Sequence, residues 1–300
     1  KMTTKEQMLR ELEKIRSQHA VFLRDLASEM ETTRLEFRVE KMQFRYETEE
    51  DRSDFNRLVR GEGDWIDIDM PYYHGPQGPS TAWYRAEIDI PEEMFRKAVL
   101  MLHFNGADYY TDAFVNGHHI GFHEGMLDEF EFDMKAYAKP GKNVLLVKVR
   151  NDYSMLGGEG VPRRWGNKLS ASNSPGWDDP FSGWSCCPTG YGIYQDVYVV
   201  AKETPFIADL FCRPLLDRKA VELWVETDLT NGEEAGDFLV TYSLYGQNFE
   251  AEVIKDKKKQ MPVEGGRVLS KALVVIPDTL LRIWSPEEPW LYQMQVTLSS

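Results

Sequence analysis

The sequence predicts a mainly β protein, with two β-sandwich domains that follow an N-terminal α-helix. From about residue 35 onward, short runs alternate apolar and polar residues or are apolar throughout, and Gly, Pro and Asn separate them. No alternation of strand and helix patterns occurs after residue 60, so these 300 residues cannot contain a (β/α)8 barrel, which needs roughly 200–250 residues. A chain of this length suffices for about two domains.

The composition narrows the classes of partner. There are 35 Lys and Arg against 49 Asp and Glu, and the resulting charge of −14 repels nucleic acids and anionic membrane surfaces. No stretch approaches the roughly 18 apolar residues of a membrane span. Only three cysteines occur, with Cys186 and Cys187 adjacent, so we expect neither a disulfide framework nor a metal or other cofactor. Low cysteine use fits a cytoplasmic, periplasmic or secreted protein.

Residues 1–34 are predicted to form the N-terminal helix. The segment 4–32 contains no Gly or Pro, and its apolar stripe recurs at spacings of three and four through Met8, Leu12, Ile15, His19, Phe22 and Leu26. Thr4 and Gln7 supply a capping box, in which each side chain satisfies the free backbone N–H of the other residue. Packing of this stripe against its own domain is the favoured interpretation. Self-association, giving a homo-oligomer, is the alternative.

The first sandwich is predicted over residues 35–203. The first strand patterns end at about Val39 and Tyr46, and a helical turn is predicted to follow over 49–58. Further strands are predicted at 83–90, 99–104, 112–115, 118–122, 144–150 and 196–200. Asn116-Gly117 separates two of these strands and fits a two-residue type I′ turn, because both residues tolerate positive φ. The long loop 153–191 is rich in Gly, Pro, Ser and Trp, and loops of this length are often functional.

The second sandwich is predicted over residues 204–300. Strand patterns recur at 220–227, 237–245, 249–254, 268–276 and 290–298, and Asn231-Gly232 and Gly265-Gly266 mark turns between them. This spacing is typical of a seven-strand immunoglobulin-like sandwich of about 100 residues.

Four phrases, in order along the chain, give a resemblance to a known family. They are Trp83-Tyr84-Arg85 with the run from Phe104 to Asp133, Gly141-Lys142-Asn143 with the strand after it, Gly192-Ile193-Tyr194-Gln195-Asp196-Val197, and Leu281–Tyr292. The first three resemble the sugar-binding jelly roll of glycoside hydrolase family 2 enzymes of the β-galactosidase and β-glucuronidase type. The last resembles the close of that family's immunoglobulin-like second domain.

The resemblance implies a larger glycosidase that acts on carbohydrates. The family's catalytic barrel, with an acid/base Glu and a nucleophile Glu in a retaining mechanism, would follow residue 300 in the same polypeptide. We therefore expect this chain to support the barrel, to contribute a loop to the sugar pocket, and to hydrolyse no O-glycosidic bond alone. No catalytic residue is assigned. The alternative is a stand-alone carbohydrate-binding protein that uses the Trp-rich loop.

The candidate substrate-binding residues lie on one edge of the first domain and in its long loop. Asp108 resembles the position from which the family's β-galactosidases extend a polar side chain, usually Asn, toward the sugar. Asn105 and Asp112 are lesser candidates on the same edge. In the loop, Trp165, Trp177 and Trp184 could stack on pyranose C–H groups, and Arg163 and Arg164 could grip the carboxylate of a uronic acid. Alternatively, these loop residues pin the loop to the sandwich or contact the barrel.

Three histidines invite a metal interpretation, which the strand pattern disfavours. Simple alternation places His119 and His123 on one face of their strand and His118 on the other, so the three side chains would not converge. The segment 173–179 offers oxygens but lacks the spacing of a known calcium loop. The sequence therefore predicts no metal site.

Overall fold

The computed structural model describes residues 5–20, 34–74, 79–152, 191–228, 238–261 and 266–299. The chain divides into two compact units, Thr33–Glu203 on one hand and Thr204–Ser300 together with Lys1–Thr32 on the other. The predicted mainly β fold, a jelly roll followed by an immunoglobulin-like sandwich, is confirmed.

The first unit contains twelve of the described strands and three short helices. The strands are β1 (Leu35–Arg38), β2 (Lys41–Tyr46), β3 (Ile66–Asp69), β4 (Tyr72–Tyr73), β5 (Ser80–Ile90), β6 (Val99–Phe104), β7 (Tyr110–Val115), β8 (His118–Glu124), β9 (Phe130–Asp133), β10 (Gly141–Asn151), β11 (Gly192–Ile193) and β12 (Val197–Lys202). With α1 in the N-terminal segment, the helices are α1 (Lys5–Gln18), α2 (Glu49–Ser53), α3 (Asn56–Arg60) and α4 (Glu92–Phe95).

Two antiparallel sheets enclose the core of this unit. One has the order β1-β12-β6-β9 and the other β3-β2-β5-β10-β7-β8, while β4 and β11 form a small separate ladder. Inward-facing side chains from both sheets make one apolar cluster, whose largest members include Phe44, Tyr84, Leu102, Phe104 and Leu145. The alternation seen in the sequence therefore reports which residues face this core.

The predicted hairpin between β7 and β8 is confirmed. Asn116 and Gly117 have φ of 50° and 86°, the left-handed values that a type I′ turn requires at both central positions. The predicted helical turn after β2 is also present, as α2 and α3, and it covers the outer face of the six-stranded sheet. There Leu58 packs with Trp83 and Leu146.

The second unit is a sandwich of two three-stranded sheets. Its described strands are β13 (Phe206–Leu215), β14 (Ala220–Asp228), β15 (Phe238–Gly246), β16 (Glu252–Met261), β17 (Arg267–Val275) and β18 (Tyr292–Ser299), in the orders β13-β14-β17 and β16-β15-β18. The described residues thus hold six strands, where seven were predicted. β13 was missed because a register shift after Ile207 and the imino acid Pro214 interrupt its alternation.

The N-terminal helix is present as α1, Lys5–Gln18, and the rest of its predicted length lies outside the described residues. Its apolar residues Met8, Leu12 and Ile15 are 48% to 62% exposed. The favoured interpretation, a helix packed on its own domain, is therefore wrong for this segment. Among the helices of the described residues, none has both the length and the apolar character of a membrane span.

Candidate functional site

Asp108 lies in the loop between β6 and β7, where it joins the small ladder at one end of the jelly roll. Its backbone N–H donates to the carbonyl of Gly192 at 2.8 Å, and the Gly192 N–H donates back at 2.9 Å. The Asp108 side chain is fully buried, and its Oδ2 accepts a hydrogen bond from the Tyr73 hydroxyl at 3.3 Å. The Asp108–Tyr109 peptide bond is cis. Backbone pairing and the phenol together fix the position of this carboxylate.

Two glycines permit the close packing around Asp108. Gly192 has a φ of 135°, and a Cβ there would lie 2.4 Å from the Tyr84 hydroxyl and 2.7 Å from the Tyr72 carbonyl. A Cβ on Gly106 would lie 2.8 Å from the Tyr194 ring. Glycine is therefore needed at position 192, where φ is positive and a backbone carbonyl is close, whereas a larger residue at position 106 would displace the end of the Tyr194 side chain.

Tyrosine side chains form the surroundings of the carboxylate. The rings of Tyr73 and Tyr194 meet edge to face with centroids 6.3 Å apart, and the Tyr194 hydroxyl donates to the carbonyl of Met126. Burial raises the pKa of Tyr194 and outweighs a hydrogen bond with Gln195 that lowers it, and the nearby charges of Asp108 and Asp128 raise it further. Because this phenol stays protonated at neutral pH, it acts as a hydrogen-bond donor. The two tyrosine hydroxyls therefore hold the Asp108 carboxylate and the Met126 carbonyl in fixed positions.

The described residues that flank the Trp-rich loop meet beside this ladder. Asn151, at the end of β10, pairs with Ser80, and the Ser80 hydroxyl lies 2.9 Å from the Tyr191 hydroxyl. Burial raises the pKa of Tyr191. The five loop candidates fall outside the described residues, so their roles remain predictions: Arg163, Arg164, Trp165, Trp177 and Trp184.

The structure does not bring the side chains of Asn105 and Asp112 to Asp108. The Oδ1 of Asn105 lies 3.0 Å from Nε2 of His103, on the outer face of the four-stranded sheet. Asp112 lies on the outer face of the six-stranded sheet, where its Oδ1 is 3.0 Å from Nε2 of His119. The prediction grouped Asn105, Asp108 and Asp112 because they are close in sequence. In the structure, Asn105 follows β6 and Asp112 lies on the outer face of β7, so the three side chains face different surfaces.

The predicted placement of the histidines on β8 is wrong in one respect. His119 contacts Asp112 on the outer face, whereas His123 stacks on Phe130 toward the core with ring centroids 4.0 Å apart. A register shift between Ala113 and Phe114 inserts an extra residue in β8, which reverses the alternation between the two histidines. In the portion of the chain that the structure describes, no group of three or more His, Cys, Asp or Glu side chains is placed to hold a metal.

Sequence reasoning missed Tyr73 and Gly192 as neighbours of Asp108. Gly192 stood in a recognised phrase, and its pairing with a residue 84 positions earlier has no local signal in the sequence. Tyr73 belongs to a two-residue strand, which is too short for periodicity to reveal.

Comparison with protein families gives two matches in chain order. Residues 65–160 match the family described as "Glycosyl hydrolases family 2, sugar binding domain", and residues 206–300 match "Glycosyl hydrolases family 2". Together the two matches cover well over half of the chain.

Characterised relatives are similar over most of this chain but are much longer. The chain is 24% identical over 234 residues to a β-glucuronidase of Formosa agariphila. The matched region covers 73% of this chain and 22% of that protein. It is 26% identical over 207 residues to the β-galactosidase large subunit of Leuconostoc lactis, covering 68% and 27%. The chain thus spans only about a quarter of the length of these relatives.

Solved structures share the fold. A β-D-mannosidase from Dictyoglomus thermophilum superposes with a TM-score of 0.64 at 18% identity, covering 89% of this chain and 34% of that one. A Bacteroides uniformis β-glucuronidase gives a TM-score of 0.64 at 20% identity, covering 89% and 30%. At these identities the likeness establishes the two-domain fold.

Proposed function

This chain belongs to glycoside hydrolase family 2, and we propose that it forms the non-catalytic N-terminal domains of a glycosidase that cleaves β-galactosides or β-glucuronides. The observation that carries the proposal is the order of the two family matches, a sugar-binding domain at 65–160 and a second domain at 206–300. Relatives named β-galactosidase and β-glucuronidase, which are several times longer than the matched region, support the substrate class.

The partner of these domains is a catalytic barrel in the same polypeptide. In the described residues, the helices after residue 34 are each at most five residues long, and none alternates with parallel strands as barrel helices do. The two carboxylic acids of a retaining glycosidase would therefore come from outside these domains. The sandwiches would brace the barrel, and the jelly roll would supply a loop to the sugar pocket.

Asp108 would position that loop. Its carboxylate is fully buried, which favours a role through its neighbours over direct contact with the sugar. It pairs with Gly192 and accepts from Tyr73, and the described residues that flank the loop 153–190, Asn151 and Tyr191, both contact Ser80 close by. Through this ladder, the jelly roll would hold the entry and exit of the loop at fixed positions.

Activity assays on two lengths of protein test the proposal. The 300-residue chain and the longest product of its reading frame would each be given nitrophenyl β-galactoside, β-glucuronide and β-mannoside. We expect turnover of the β-galactoside or the β-glucuronide by the longer product and none by the 300-residue chain. A reading frame that stops at residue 300, or a longer product inactive on all three, would overturn the proposal.

The role of Asp108 is tested in the longer product with Asp108→Asn and, as a matched control in the same domain, Asp89→Asn at an exposed position of β5. Loss of the carboxylate next to Tyr73 should raise KM several-fold and leave kcat nearly unchanged, because the catalytic carboxylates are elsewhere. The control should change neither. Equal KM and kcat values for the two variants would show that Asp108 has no specific role in substrate binding.

A further inference from the structure

The outer face of the six-stranded sheet carries an aromatic pair, one ring half-buried and one exposed, that the proposed function does not use. Tyr110 on β7 and Phe122 on β8 are nearly parallel, with 16° between the ring planes and centroids 6.4 Å apart. Phe122 is 48% exposed. Thr111 is fully buried, so its neighbours Tyr110 and Asp112 face away from the core. Phe122 lies opposite Asp112 and faces the same way.

Polar side chains surround this pair at fixed positions in the strand register. Glu124 lies opposite Tyr110 on β8, and Arg150 lies opposite it on β10, with the guanidinium carbon 5.2 Å from the ring centroid. Asp112 lies opposite Phe122 on the neighbouring strand. Its Oδ2 is 3.8 Å from Nη2 of Arg150, and its Oδ1 is 3.0 Å from Nε2 of His119. Hydrogen-bond donors and acceptors therefore alternate around an apolar centre.

We propose that Tyr110, Phe122, Asp112 and Arg150 form a binding surface for a neutral pyranose of a β-linked glycan. A pyranose has an apolar face of C–H groups, which packs on aromatic rings, and a rim of hydroxyls that both donate and accept. Asp112 and Glu124 accept from hydroxyls, and Arg150 donates to them.

The charge of the surface selects against acidic sugars. Among the described residues of this surface, the carboxylates of Asp112 and Glu124 lie near the guanidinium of Arg150, and the whole chain has a charge of −14. Lys148 lies opposite Asp112 on β10, but it is paired with Glu47 at 2.7 Å. A uronate would meet net repulsion here, whereas a neutral galactose or mannose residue would not.

Affinity electrophoresis of the 300-residue chain tests this surface. Native gels would contain a β-galactan, a β-mannan or, as the anionic probe, alginate. We expect a neutral polymer to retard the chain and alginate not to. The variants Tyr110→Ala and Phe122→Ala should each weaken retardation ~10-fold, since loss of one stacking contact corresponds to about 1.4 kcal/mol.

Control variants separate stacking from general damage. Ile66→Ala removes a side chain that is 59% exposed on β3, at the opposite edge of the same sheet, and should retain full binding. Phe122→Tyr keeps the ring and should also bind, so a folding defect in Phe122→Ala would not hide the result.

Three results would overturn the proposal. The first is absence of retardation by either neutral polymer. The second is retardation that both alanine variants leave unchanged. The third is stronger retardation by alginate than by the neutral polymers. Titration with methyl β-galactoside, followed by the NMR signals of the chain, then distinguishes recognition of a single terminal sugar from recognition of a residue within a polymer.

Discussion

The side chain of Asn116 donates from Nδ2 to Oδ1 of Asn143 at 2.9 Å, joining two segments whose phrases are 27 residues apart in the sequence. Asn143 is buried, and its amide also accepts from the N–H of Lys139 at 2.9 Å and donates to the carbonyls of Lys139 and Gly141 at 2.7 and 2.8 Å. The Asn116 Oδ1 accepts in turn from the N–H of Val144 at 2.9 Å. Hairpin turn and strand β10 are therefore locked together by side-chain amides.

The substitution Asn143→Ala should destabilise the jelly roll by about 3 kcal/mol, because several buried polar groups lose their partner together. Urea denaturation followed by tryptophan fluorescence measures the change. The control Asn105→Ala removes an amide that lies at the end of β6 with one described side-chain contact, and should cost less than about 1 kcal/mol. Equal losses in the two variants would contradict the prediction.

The left-handed glycines offer a matched pair of backbone substitutions. Gly192→Ala should destabilise the first unit by about 3 kcal/mol or more, since its Cβ would collide with Tyr84 and Tyr72 in addition to the strain of positive φ. Gly141→Ala, with a φ of 79° and no atom within 4 Å of the added Cβ, should cost only about 1 kcal/mol. Thermal unfolding of both variants compares them, and a larger loss for Gly141→Ala would refute the packing argument.

A buried ion pair makes the first unit sensitive to acid. Asp51 pairs with Arg45 and completes a capping box with Thr48, whose N–H donates to Asp51 at 2.9 Å. Burial opposes ionisation of Asp51, but hydrogen bonds from Arg45 and Thr48 outweigh it and lower the pKa below its usual value of 3.8. A lowered pKa means that the stabilisation is complete above that usual value and is lost as the pH falls through the folded-state pKa.

We therefore expect Asp51→Asn to be less stable than the parent by about 3 kcal/mol at pH 7, with a difference that shrinks below pH 4. Urea midpoints between pH 7 and pH 3 provide the measurement. Asp54→Asn, at an exposed carboxylate paired with Arg60, is the control and should change stability by less than about 1 kcal/mol. A difference that stays constant with pH would show that ionisation of Asp51 is not responsible.

The exposed stripe of α1 predicts weak self-association of the chain through this helix. A 14-residue helix is marginal alone in water, and the exposed Met8, Leu12 and Ile15 follow the spacing of a two-helix seam. Beside this seam, Glu11 and Arg16 carry opposite charges at positions that pair between parallel helices.

Sedimentation of the chain should show a mass that rises with concentration, and Leu12→Glu should abolish the rise. Ser17→Glu, on the polar side, is the control. A constant monomer mass for the unsubstituted chain would exclude the helix as an assembly element.

Local pattern was sufficient to predict much of the fold. Apolar alternation located most strands of both sandwiches, because each inward side chain must face a core, and Asn116-Gly117 marked its hairpin through the conformations that these residues tolerate. Family phrases in order then predicted the jelly roll and the immunoglobulin-like domain. Where alternation is broken, as in β13 and at the bulge of β8, the prediction failed, because one extra residue reverses every side chain beyond it.

The candidate site was decided by tertiary structure. The sequence by itself determined the fold class, the family and the residue types available, since these depend on periodicity and on short phrases. It grouped Asn105, Asp108 and Asp112 on one edge. Only the folded chain pairs Asp108 with Gly192 and Tyr73 and sends Asn105 and Asp112 to two other surfaces. These contacts join residues up to 84 positions apart, and non-local pairing of this kind leaves no periodic trace in the sequence.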